Sequence, residues 1–170
     1  MSARRRRRSA GLLPFRVGVG GLEVFIAHMG GPFWAKKDDG GFSIVKGEHA
    51  PGEDALAAAR REFEEETGVA APSGDVLELG EVRQPSGKLI AVWAVESPGF
   101  ELEAVHSNTF TMEWPRGSGA MAEFPEIDRA GWFDAQTARR KLVKGQVPFL
   151  DALERVLAVR EDEAHAATPG

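Results

Sequence analysis

Eight consecutive residues, Arg61-Glu62-Phe63-Glu64-Glu65-Glu66-Thr67-Gly68, hold the densest chemistry in this chain. They close a stretch from Asp54 to Thr67 that is rich in alanine and glutamate and lacks glycine and proline, which predicts a helix with Gly68 at its C′ position. At about 100° per residue, Leu56, Ala59, Phe63 and Thr67 form one stripe, the expected core face. Glu62, Glu65 and Glu66 stand at i, i+3 and i+4, so their carboxylates converge on another face, with the small Ala55 and Ala58 on the same side. This arrangement is costly. Like charges at these spacings each lose about 0.2–0.5 kcal/mol, and carboxylates in the last turns oppose the helix dipole by a further ~0.3–1 kcal/mol each. Arg60 and Arg61 relieve part of that. A glutamate run often marks a solvated face, but converging oxygens beside an irregular loop also suit a hard divalent cation such as Mg2+, which takes carboxylates, carbonyls and retained waters.

The elements that must position this face follow from pattern and punctuation. Residues 1–10 read as a disordered basic arm. Leu12–Val19 and Leu22–His28 are strand-like, with a hairpin turn at Gly20-Gly21. Met29–Gly41 is a loop carrying Phe33-Trp34, Phe42–Val45 a short strand, and Lys46–Gly52 irregular. Val76–Arg83 and Leu89–Glu96 predict an antiparallel hairpin about Gln84-Pro85-Ser86-Gly87. Thr109–Trp114 is a further strand, Pro115–Glu123 a long loop, and Ala130–Phe133 a short strand. Helices are expected at Ala135–Leu142 and Phe149–Val159, with a flexible tail over 161–170. Strands interleaved with helices predict an α/β layered fold with a mixed sheet, a single domain over residues 11–160.

The wider spacing decides between a solvated face and a site. From Gly47 the chain runs five residues to Glu53, seven more, then Arg61-Glu62-Phe63-x-Glu65-Glu66-x-Gly68-Val69. Seven fixed residues at about one in fifteen each give a chance occurrence on the order of 10⁻⁸ per starting point. This segment, Gly47–Val69, resembles the Nudix box at every fixed position, with Phe63 and Val69 in its apolar slots.

The resemblance implies an α/β/α sandwich and a hydrolase that cleaves a diphosphate linkage in a nucleoside diphosphate derivative with Mg2+, or Mn2+ in its place. It implies Glu62, Glu65 and Glu66 as side-chain metal ligands, assisted by the Gly47 carbonyl. Arg61 then orients a box glutamate, and Glu53 supports the metal indirectly or through water. A diphosphate would be repelled by bare carboxylates; bound cations reverse the local field and acidify an attacking water. A carboxylate must take that water's proton. Glu65 and Glu66 are the first candidates, and Glu126, placed before the Ala130–Phe133 strand like the family's later glutamate, is another, with Glu123 as its rival.

The lead-in Gly41-Phe42-Ser43-Ile44-Val45-Lys46-Gly47 resembles that of Nudix enzymes acting on dinucleoside polyphosphates, diphosphoinositol phosphates and some nucleotides, except that Val45 stands where they have proline. Lys46 is placed to meet phosphate. Phe124 to Phe133, preceded by Ser107-Asn108-Thr109-Phe110, resembles a bacterial Nudix subgroup labelled as predicted NTP pyrophosphohydrolases. The lead-in typical of RNA 5′-end pyrophosphohydrolases is absent. Trp34 is a candidate to stack on a base, as is Trp114; Trp93 and Phe42 fit the core better. His28, His49 and His106 show no metal spacing and read as structural or surface residues. Lys36, Lys37, Arg83 and Arg116 read chiefly as solvated loop charges.

Composition narrows the alternatives. One domain suits 170 residues. The lack of cysteine excludes disulfides, thiolate zinc sites, iron–sulfur clusters and a cysteine nucleophile. No apolar run approaches the ~20 residues that span a bilayer, and Arg16 and Glu23 interrupt the one stretch resembling a secretory signal, so a cytoplasmic location without membrane partners is expected. Leaving aside Arg4–Arg8, 16 basic residues face 26 acidic ones, a net charge of −10. Five arginines permit weak, salt-sensitive nucleic-acid binding, but the acidic body offers no supporting face. That reading, and a Nudix domain that senses a nucleotide without cleaving it, stand behind hydrolysis of a small nucleotide or polyphosphate. The sequence assigns no oligomeric state.

Overall fold

One central strand, buried on both of its faces, organises the molecule. A computed structural model of the chain describes residues 7–167. Its first strand, β1 (Arg8–Gly18), turns at Gly21, whose φ of 101° suits a residue without Cβ, into β2 (Gly21–Met29). In β1, Ala10 and Leu12 join a core with Ala58, Ala59 and Phe63 of the acidic helix. Leu13 and Phe15 face the other way, toward Leu142, Phe149, Leu150 and Leu153. This period of two puts helices on both faces of one sheet.

The sheet has seven strands. β3 (Phe42–Ser43), β2, β1, β6 (Leu89–Glu96) and β5 (Val76–Arg83) lie in that order, with β4 (Val45–Glu48) also on β1 and β9 (Ile127–Asp134) also on β2. The β1–β6 pair is parallel and the others antiparallel, so the sheet is mixed. β1 pairs with β2 only over Phe15–Gly18, and its first half, Ser9–Leu12, pairs with β4. The β1 and β2 strands thus splay apart, and β3 and β4 fill the wedge, which seats Lys46 and Gly47 against the start of β1. β7 (Thr109–Glu113) and β8 (Met121–Pro125) form a separate two-stranded hairpin. Three helices, α1 (Ala55–Thr67), α2 (Ala135–Lys141) and α3 (Val147–Ala167), complete the α/β/α sandwich.

Several boundaries differ from expectation. Arg8–Ala10 are not part of the arm: they pair with both β4 and β6, and Ser9 and Ala10 are buried. Arg4–Arg6 lie outside the described residues. The expected Pro115–Glu123 loop ends in β8, because Phe110↔Phe124 and Met112↔Ala122 pairing recruits its second half. Helix α3 runs from Val147 through Ala167, so residues 161–167 of the expected tail are helical. Leu56 is only partly buried, and the core contact of α1 is carried by Ala58, Ala59, Phe63 and Thr67. No helix among the described residues is long and apolar enough to cross a membrane.

Candidate active site

Helix α1 is held at both ends by groups other than basic side chains. Asp54 is its N-cap and accepts from the Ala57 amide at 2.9 Å. At its acidic end Gly68, with φ 83°, donates to the Glu64 carbonyl. The His106 and Asn108 amides donate to the carbonyls of Thr67 and Glu65, at 3.1 and 3.2 Å. Backbone donors from the 106–108 segment thus satisfy the negative pole that three glutamates aggravate.

The same segment fixes the later glutamate. Asn108 accepts from the Glu126 amide at 2.8 Å, and the Glu126 carbonyl accepts from Gly30 at 2.9 Å. The Ser107 hydroxyl donates to the Ile127 carbonyl at 3.1 Å. Glu126, at the bend between β8 and β9, is thereby referenced to the end of α1 through two consecutive backbone hydrogen bonds, Asn108 to Glu65 and Glu126 to Asn108.

Arg61 organises the box carboxylates. Its guanidinium donates to Glu53 at 3.0 Å, to Glu62 at 3.0 Å and to Glu65 at 3.2 Å. Glu53 also accepts from the Ala50 amide, tying the box loop to the helix. Glu62 is 8% exposed, and a Cβ at Gly47 would collide with its carboxylate. Glycine at this position is what lets α1 press an acid onto β4. Burial, then the Glu65 charge, raises the Glu62 pKa above the ordinary glutamate value.

Glu66 points elsewhere. It is 9% exposed and, with Lys46 and Glu126, lines a cleft of about 140 Å³ floored by Met29, Ile44 and Ile127. Burial chiefly, then the charges of Glu126, Glu62 and Glu65, push its pKa from 4.5 to about 7 against the opposing pull of Lys46. The Lys46 ammonium is pushed below its usual value by burial and by Lys88, offset in part by Glu126, Glu48 and Glu66. Glu66 accepts no hydrogen bond from any described residue, a carboxylate crowded by like charges and left without a donor. Among the described residues no three His, Cys, Asp or Glu side chains are gathered closely enough to hold a metal as they stand, since Arg61 draws Glu62 and Glu65 to itself. The donor set nevertheless fits a hard cation: its oxygens are carboxylate and carbonyl, and Glu66 is unpaired.

The expected residues therefore divide. Glu62, Glu65, Glu53 and Arg61 form one cluster, and Glu66, Lys46 and Glu126 line the cleft beside it. Glu123 is an exposed residue of β8 paired across from Thr111 and lies outside that cleft. Trp34 lines a second hollow, of about 290 Å³, that shares Met29 and Glu126 with the first. Trp114 is in the turn of the β7–β8 hairpin, away from both hollows, and Trp93 and Phe42 pack in the core as expected. His49 donates its amide to the Arg8 carbonyl at 3.2 Å and lines a third hollow, of about 490 Å³, with Arg8 and Glu53.

Two contributions were not legible beforehand. Phe110 lines the Trp34 hollow, and the only hint was its place in a quoted motif. His28 is fully buried, its Nδ1 2.8 Å from Asp128 and its Nε2 2.6 Å from the Lys37 carbonyl. Both partners are acceptors, so the ring latches the Trp34 loop to the strand behind Glu126. A histidine alone on an apolar strand carries no sequence signal for that role.

A family model described as NUDIX domain matches residues 5–153. No curated protein matches the sequence. Among solved structures, the C. elegans Ap4A hydrolase in a binary complex is similar at TM-score 0.60 and 20% identity, over 89% of this chain and 98% of that one. The NUDIX domain of Shewanella oneidensis NrtR, complexed with ADP ribose, is similar at TM-score 0.60 and 14% identity, over 92% and 90%. The MutT protein from Methanosarcina mazei Go1 is similar at TM-score 0.56 and 17% identity, over 91% and 97%. With the box intact, its helix seated on the sheet as the site requires, and the family model spanning most of the sequence, this chain belongs to the Nudix hydrolase family.

Proposed function

We propose that the protein hydrolyses a diphosphate linkage in a nucleotide derivative, an NTP, a dinucleoside polyphosphate or another nucleoside diphosphate conjugate, with Mg2+ as its metal and Mn2+ as a substitute. The observation that carries this reading is the convergence of Glu66, Glu126 and Lys46 on one cleft beside the Arg61-bound glutamates. The neighbours described with Ap4A hydrolase activity and with bound ADP ribose support a nucleotide as ligand.

Glu62, Glu65, Glu66 and the Gly47 carbonyl would hold the metal. When bound, it would neutralise the diphosphate, polarise the P–O bond and lower the pKa of water. The chain's own residues do the rest. Arg61 keeps Glu62 and Glu65 in a fixed fork, with Glu53 anchoring the guanidinium from the loop side. Lys46, at the mouth of β4, offers an ammonium to a phosphate oxygen. Glu126 takes the proton of the attacking water, an acceptor held in place by backbone bonds on both sides.

A screen of NTPs, dinucleoside polyphosphates, nucleotide sugars, ADP-ribose and diphosphoinositol phosphates with Mg2+ or Mn2+, products identified by mass, tests this. Cleavage that requires the cation and disappears in Glu66→Gln is expected. Failure to cleave any diphosphate would refute it.

A further inference from the structure

The hollow beside the catalytic cleft has an unusual wall composition. It measures about 290 Å³, room for about ten waters or a two-ring base, and is lined by Met29, Gly30, Trp34, Phe110 and Glu126. Trp34 comes from the β2–β3 loop and Phe110 from β7, two segments distant in sequence. Each ring is backed by another aromatic: Phe33 sits edge-on to Trp34 at 5.1 Å, and Phe124 tilts against Phe110 at 6.0 Å. Lys37 adds its ammonium 5.0 Å from the Trp34 ring. The walls are therefore braced.

Two glycines let the segments meet. A Cβ on Gly30 would collide with the Pro125 carbonyl, and one on Gly31 would lie 2.8 Å from the Phe110 ring, at a φ of 94°. The backbone has few donors left for a ligand. The Met29 amide is spent on Gly41, that of Gly30 on Glu126 and that of Trp34 on Gly31. Glu126 is the one charged residue of the lining, and it stands at the end shared with the cleft.

We propose that Trp34 and Phe110 form a slot that takes the substrate's nucleobase by its face without reading its edge, making Phe110 and the β7–β8 hairpin specificity elements that favour an aromatic base but tolerate any. The inference rests on the nucleotide hydrolase reading above. Stacking on aromatic side chains is tolerant because every base has a π face, whereas discrimination requires an array of edge donors and acceptors, of which this lining's side chains offer only the Glu126 carboxylate, at the end shared with the cleft. The area of the base then orders the ligands, purines ahead of pyrimidines. The hairpin that carries Phe110 is a two-stranded sheet separate from the main one.

Calorimetric titration with AMP, GMP, CMP and UMP tests the slot, with methylenediphosphonate as the base-free probe and no bond to cleave in any arm. AMP and GMP should bind within about tenfold of each other. Phe110→Ala and Trp34→Leu should each weaken all four nucleotides by about fivefold or more, leaving methylenediphosphonate unchanged. Phe110→Leu preserves apolar volume, and it should show the same selective loss if the alanine variant fails to fold. AMP and GMP differing by more than about tenfold, equal loss of the base-free probe, nucleotide affinity undiminished in folded Phe110 variants, or no nucleotide binding at all would each overturn the proposal. A protein that binds monophosphates as described but cleaves no diphosphate would sink the hydrolase reading and leave the slot standing.

Discussion

Glutamine at position 66 should make the metal-stripped protein more stable above neutral pH. The Glu66 carboxyl is pushed from 4.5 to about 7 because folding buries it beside Glu126, Glu62 and Glu65. The native state therefore holds this proton more tightly than the unfolded chain does. Its contribution to stability is fully present below about 4.5 and is lost as pH rises through about 7. The shift is roughly 2.5 units, so at pH ~8 the ionised group costs the fold about 3 kcal/mol. Glu66→Gln keeps the shape and removes the charge. In chelator it should recover up to about 3 kcal/mol at pH ~8 and almost nothing at pH ~4.5, a rise of about 6–12 °C in Tm at the alkaline end. Urea or thermal unfolding between pH ~4.5 and ~8.5 measures this directly. Added Mg2+ should largely close that gap, stabilising the wild type by about 2.7 kcal/mol at a hundredfold excess over its Kd and the variant by much less. A variant no more stable than wild type at pH ~8 in chelator, with the same slope against pH, would refute the account of Glu66 as a crowded, unpaired carboxylate.

Four further substitutions probe the rest of the site. Gly47→Ala places a methyl where the Glu62 carboxylate sits, and should destabilise by about 1–3 kcal/mol and abolish turnover, read by unfolding and by phosphate release. Arg61→Ala frees Glu53, Glu62 and Glu65 from one guanidinium; kcat/KM should fall about 10²-fold with the circular dichroism spectrum unchanged. Glu126→Gln should lower kcat by about 10²–10⁴-fold, while Glu123→Gln, exposed on β8, should match the wild type in steady-state assays.

Much of the frame was open to sequence reading because it rests on local signals. The hairpin at Val76–Arg83 and Leu89–Glu96 falls where two strand-like runs about Pro85-Ser86-Gly87 put it. Helix α1 begins after Asp54 and ends at Gly68, since a side-chain cap and a left-handed glycine are encoded in single residues. What failed was not local. Arg8–Ala10 became strand because β4 and β6 both pair with them, and β8 formed because β7 was available as a partner. Pairing of that kind depends on residues 37 to 81 positions away, or on a turn whose own composition reads as loop.

Chemistry and its arrangement divide along the same line. The box spacing by itself marked out the candidate site residues, because Gly47, Glu53, Arg61, Glu62, Glu65 and Glu66 lie within one loop and one helix whose periodicity sets a common face for the glutamates. The tertiary structure alone decided that Arg61 gathers three of those acids while Glu66 turns into the cleft with Lys46. It also separated Glu126, which lines the cleft, from Glu123, three residues away and alike in sequence. The Asn108 and Gly30 hydrogen bonds hold the backbone of Glu126 beside Glu66, and Glu123 is left on an exposed strand. A charge's chemical type is written in the chain, but its pKa and its partners come from desolvation and proximity, which exist only once distant segments have packed.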